Sequence, residues 1–203
     1  MDMKRRNFLA SAALAATPAA KAGTDKSAFK NCSRPKKGPT SSRFPQVVVQ
    51  DQFKKKAWFY EELIHNKLVL ISFTSVKGEQ YYPVLDNLVK VQEMLADRLG
   101  KDVFMYTITT NPREDTPDTL RQLADKHQAK WQFLSGNQED IYNILRAFNA
   151  RGLMTGLSWI GNEQTGRWLN KPSRLHPLYI AEAVARLSTG KAHKPFLIDM
   201  HSV

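Results

Sequence analysis

The chain has 203 residues, 42% hydrophobic and 24% charged, which suits one globular domain with flanks and excludes a wholly disordered polymer. Its formal net charge is +11. Four Lys/Arg against Asp2 make residues 1–22 +3, and six against Asp25 make residues 23–43 +5, leaving +3 for residues 44–203. A domain so mildly basic lacks the charged face of a nucleic-acid reader, which argues against nucleic acid as a partner.

The first 23 residues, "MDMKRRNFLASAALAATPAAKAG", combine a basic start, an apolar stretch from Phe8 to Ala16 and Ala20-Lys21-Ala22 before Gly23. That layout predicts an export signal over 1–22. The pair Arg5-Arg6 followed by Asn7-Phe8-Leu9 is similar to a twin-arginine signal, so the expected location is the periplasm or the outer face of the cytoplasmic membrane. The apolar stretch is shorter than the roughly 20 residues of a membrane span, and no transmembrane span is expected beyond an uncleaved signal. Residues 23–43 read as a basic linker. They hold Cys32, the one cysteine of the chain, which has no second cysteine to form an internal disulfide. A thiol becomes reactive in a pKa-lowering environment that a linker does not supply.

The domain is expected over 44–190. "QVVVQD" (46–51) and "KAWFY" (56–60) read as a hairpin, "EELIHNK" as a helical turn, and "LVLISFTS" (68–75) as a strand buried on both faces. The loop "VKGEQYY" follows, then a helix opened by Pro83. Leu85, Leu88, Val91, Leu95 and Leu99 form its apolar stripe, and Gly100 ends it. "DVFMYTITT" (102–110) is a second buried strand. Thr116, Pro117 and Asp118 have the cap, first-position and first-turn chemistry of a helix start. "WQFLSG" is a short strand and 137–148 a helix. "GLSWIGNEQTGRWL" (156–169) is a hairpin turning at 161–163, and "HPLYIAEAVARLSTG" is a closing helix. This order implies an α/β fold, a three-layer sandwich around a mixed central sheet. It matches the thioredoxin-like fold with a β-hairpin added at the N-terminus. Residues 191–203 form a tail.

Five blocks in order, "FPQVVVQDQ", "LVLISF", "YPVLDNLVKVQEML", "DVFMYTITTNPREDTP" and "WQFLSG", resemble the Sco/SenC family over residues 44–190. The resemblance implies a thioredoxin-like protein outside the cytoplasmic membrane that helps deliver copper to cytochrome c oxidase. Its site is a Cys-x-x-x-Cys-Pro motif plus a distant histidine. Pro83 matches the motif proline, which puts Tyr82 at the second cysteine and Gly78 at the first. Counting back from "GNE" (161–163) puts Met154 or a near neighbour at the histidine. Asn111 stands where an aspartate is usual, and Asp115 is kept.

The departure removes the chemistry. Cuprous copper prefers thiolate and thioether ligands. Gly78 has no side chain, Tyr82 offers a phenol of pKa about 10, and Met154 offers one thioether. Thiol–disulfide exchange needs a thiolate that this loop lacks. The five histidines, His65, His127, His176, His193 and His201, have no ligand-like spacing, and the first three read as surface or capping residues. Helix-start electrostatics account for Glu114, Asp115 and Asp118. No nucleophile elbow, phosphate loop or His-Glu-x-x-His occurs, so no enzyme is expected. The expected function is a metal-free, redox-inactive binding or assembly factor with no cofactor. Its partner would be a respiratory oxidase subunit or a copper or thiol maturation protein, met through Tyr81 and Tyr82, since tyrosine is enriched in binding surfaces. The alternative is a copper carrier with a rebuilt site drawing on Met154, the tail residues His193, Met200 and His201, or Cys32.

Overall fold

A computed structural model describes residues 37–150 and 156–190. Seven strands form one sheet: β1 (Val48–Asp51), β2 (Lys56–Trp58), β3 (Leu68–Thr74), β4 (Val103–Thr109), β5 (Gln132–Gly136), β6 (Leu157–Asn162) and β7 (Arg167–Pro172). Their spatial order is β2-β1-β5-β4-β3-β6-β7. β3, β4 and β5 run parallel, while β1 pairs antiparallel with β2 and β5, and β6 antiparallel with β3 and β7. The sheet is mixed, as expected, and the N-terminal hairpin extends it beside β5.

Among the described residues five α-helices accompany it: α1 (Val76–Tyr81), α2 (Leu85–Leu95), α3 (Pro117–Lys126), α4 (Gln138–Ala147) and α5 (Pro177–Ser188). Strand side chains alternate between faces. Leu68 and Leu70 of β3 therefore join α2, α3 and α5 in one core, around Leu88, Leu120, Ile180 and Val184. Val69, Ile71 and Phe73 join α4 and a π-helical turn (Phe59–Ile64) in the other, around Phe44, Tyr60, Ile144 and Phe148. All seven residues of β3 are buried, which is why it reads as one apolar run. No helix among the described residues is long and apolar enough to cross a membrane.

Four boundaries differ from expectation. β2 stops at Trp58, because Phe59 and Tyr60 turn inward as the start of the π-helical turn. The predicted loop "VKGEQYY" is mostly the helix α1, capped by the Ser75 hydroxyl, which accepts Gly78 N–H at 2.9 Å. α2 starts at Leu85, leaving Pro83 outside it. It ends at Leu95, where Ala96 takes φ +43° and a 3-10 turn follows, while Gly100 (φ +82°) shapes the entry to β4. The late hairpin turns at 163–166, because Gly161 and Asn162 still pair with Trp168 and Arg167.

Contacts also reach ahead of residue 44. Glu163, 1% exposed, accepts from Thr40 N–H (2.9 Å), the Thr40 hydroxyl, the Tyr60 hydroxyl (2.7 Å) and Trp168 Nε1 (3.3 Å). The Arg43 guanidinium stands 4.8 Å from the Trp159 ring centroid and 5.6 Å from those of Phe44 and Phe148. Burial pushes the Tyr60 hydroxyl's pKa up, and its bond to Glu163 pushes the same way.

Candidate functional site

The C-terminal ends of β3 and β4 carry the segment matched above to the family motif. Ser75 follows β3 directly and caps α1, so residues 76–81 leave the end of the strand as a helix. Two buried carboxylates hold it there. Glu79, 6% exposed, accepts the Val84 and Leu85 N–H groups at 2.8 Å each through Oε1 and the Thr74 hydroxyl at 3.2 Å through Oε2. An anion at the start of α2 complements the orphan N–H groups and the helix dipole there. Asp115, 3% exposed, accepts the Thr109 hydroxyl at 2.5 Å and Val76 N–H at 3.3 Å. Burial raises the pKa of its carboxyl, with the bonds from Thr109 and Val76 pulling the other way.

This revises the reading of the acidic cluster. Asp115 reaches across to the start of α1 instead of serving α3, whose cap is the Thr116 hydroxyl. Glu114 pairs with Lys77 at 2.9 Å and Asp118 with Lys54 at 3.0 Å.

The two tyrosines separate. Tyr81 is 80% exposed on α1. Tyr82 is half-buried against the α2–α5 core, with the Arg174 guanidinium 5.0 Å from its ring centroid. Gly78 is buried, and its carbonyl accepts Tyr82 N–H at 2.8 Å. Cys32, Met154, His193, Met200 and His201 lie outside the described residues. His65 closes the π-helical turn against Tyr60, and His176 caps α5. His127 caps α3 but is not a surface side chain: it is 10% exposed, with Nδ1 2.6 Å from Asp86. Among the described residues no three His, Cys, Asp or Glu side chains gather as metal ligands would. A copper(I) site needs soft donors. Position 78 supplies no side chain and position 82 a phenol stacked under a guanidinium, so these two positions do not fit copper.

Sequence reasoning missed Glu79 and Arg174. Glu79 follows Ser75 by four residues, not the three of a capping box, and the helix it caps begins six residues later. No local pattern signals that.

Parallel β3-β4-β5 with helices on both faces, and a motif segment at the C-terminal edge, define a thioredoxin-like α/β protein. Residues 63–157 match the SCO1/SenC family model. No curated protein matches it significantly. Among solved structures, Bradyrhizobium japonicum ScoI with copper bound is 18% identical, covering 71% of this chain and 98% of its own, with TM-score 0.59. Yeast Sco1 with copper bound is 15% identical, covering 74% and 96%, with TM-score 0.60. BsSco, a member of the Sco family of cytochrome c oxidase assembly proteins with a disulfide switch, is 19% identical, covering 71% and 92%, with TM-score 0.60. At these identities the likeness establishes the shared fold.

Proposed function

We propose that this chain is an exported, metal-free and redox-inactive member of the SCO1/SenC family, acting as a binding or assembly factor in respiratory oxidase or copper-protein maturation. The observation that carries this reading is the segment Ser75–Pro83. Its residues at the cysteine positions are Gly78 and Tyr82, and Glu79 closes α1 onto α2 through two 2.8 Å bonds. A helix held this way presents a fixed surface, and Tyr81 stands out from it. The oxidase pathway comes from the family, through relatives described with copper bound or as oxidase assembly proteins. Export comes from the twin-arginine-like signal.

The test is a copper(I) titration of the full-length chain under reducing conditions, by competition with a chromophoric chelator, beside Cys32→Ala and a variant lacking residues 191–203. The expected result is no competition in any of the three. Stoichiometric copper retained against the chelator overturns the metal-free reading. Its loss on Cys32→Ala or on tail deletion assigns the rebuilt ligands.

A further inference from the structure

A groove of about 800 Å³ runs between α2 and the loop joining β7 to α5. It is lined by Lys90, Glu93 and Met94 on one side and Arg174, His176 and Pro177 on the other. The loop is pinned: Asn87 Nδ2 donates to the carbonyls of Ser173 (2.8 Å) and Leu175 (2.7 Å). These two bonds bracket Arg174 and set it and His176 opposite α2.

The cations of this groove differ from five others on the surface. Lys54, Lys77, Arg98, Arg121 and Arg186 each have a carboxylate within ion-pair distance. Neither Lys90 nor Arg174 has one among the described residues. Arg174 stacks instead on Tyr82, and a stacked guanidinium keeps its planar fork of N–H donors for a carboxylate. His176 Nδ1 accepts Leu178 N–H at 3.4 Å, so in the neutral ring Nε2 carries the proton and is a donor. Apolar surface adjoins the cations: Met94 is 48% exposed, and Leu178 and Tyr179, which follow Pro177, are 57% and 53% exposed.

We propose that this groove docks an acidic segment of a partner protein, carboxylates on Lys90 and Arg174 and an apolar side chain against Met94. This rests on the binding reading above. Charge complementarity selects the occupant: two unpaired cations and a histidine donor call for carboxylates, while Glu93 in the same groove disfavours a continuous polyanion. Its concave shape fits an extended peptide better than a lipid surface, which meets convex faces.

The probe is a fluorescein-labelled peptide, Asp-Glu-Leu-Asp-Phe-Glu, titrated against the full-length chain by fluorescence anisotropy, with the amide version Asn-Gln-Leu-Asn-Phe-Gln as control. The proposal expects saturable binding of the acidic peptide that salt weakens. It also expects roughly tenfold or greater loss in Lys90→Glu/Arg174→Glu and little change in the equally charged Lys101→Glu/Arg146→Glu. Should the reversed pair melt early, Lys90→Ala/Arg174→Ala replaces it. No binding of the acidic peptide, equal binding of the amide peptide, or equal loss in both double variants overturns the proposal. So does binding only to phosphatidylglycerol-containing vesicles. A photo-crosslinking residue at position 81 separates the two readings in the host cell. Adducts that persist in Lys90→Glu/Arg174→Glu overturn the groove and leave the binding reading standing, whereas no adduct in either background defeats the binding reading.

Discussion

Glu79 Oε1 accepts the backbone N–H of Leu85 at 2.8 Å, so the helix before Pro83 caps the helix after it. The same oxygen accepts Val84 N–H, and Oε2 accepts the Thr74 hydroxyl. Removing a buried acceptor of three donors strands them. Glu79→Ala should therefore cost about 2–4 kcal/mol, and Glu79→Gln, which keeps an acceptor without the charge, about half as much. Chemical denaturation measures both. Equal stability of wild type and Glu79→Ala would contradict this capping role.

Asp115 predicts a pH dependence. Burial raises its folded pKa above the unfolded value of about 4. In the window between the two values the folded state holds the proton that the unfolded state releases, so stability falls as pH rises through the folded pKa. Asp115→Asn mimics the neutral carboxyl and removes that contribution. Melting temperatures measured from pH 4 upward should decline more steeply in wild type than in the variant, and parallel curves would refute the assignment.

Glu163 fastens the segment ahead of Phe44 to the late hairpin through Thr40, Tyr60 and Trp168. Glu163→Ala leaves the buried Tyr60 hydroxyl and the half-buried Thr40 and Trp168 donors without their acceptor, at a cost of about 2–4 kcal/mol. Limited proteolysis should then cut near residues 37–43 faster than in wild type. An unchanged cleavage rate at an unchanged melting temperature would rule this fastening out.

Gly161 faces Trp168 across the β6–β7 pairing, and a Cβ there would sit 2.3 Å from the indole ring. Gly161→Ala should destabilise by about 1–3 kcal/mol through overpacking, and Gly161→Ala/Trp168→Leu should recover part of it. Thermal melts of the two variants decide this.

Residue patterns along the chain carried the strand–helix order, the buried parallel strands, the cap at Thr116 and the family resemblance. Each of these rests on periodicity or short-range chemistry that neighbouring residues carry. The absence of cysteine and histidine from residues 72–88 is equally plain in the sequence. The packed fold was needed to show that residues 76–81 are helical and closed by Glu79, that Asp115 serves α1, and that Tyr82 turns inward beneath Arg174. Those relations join groups that only folding brings together. Val76 and Asp115 are 39 residues apart, and Arg174 reaches Tyr82 from the far end of the β6–β7 hairpin. A buried carboxylate finds donors wherever folding places them, and no spacing along the chain records where that is.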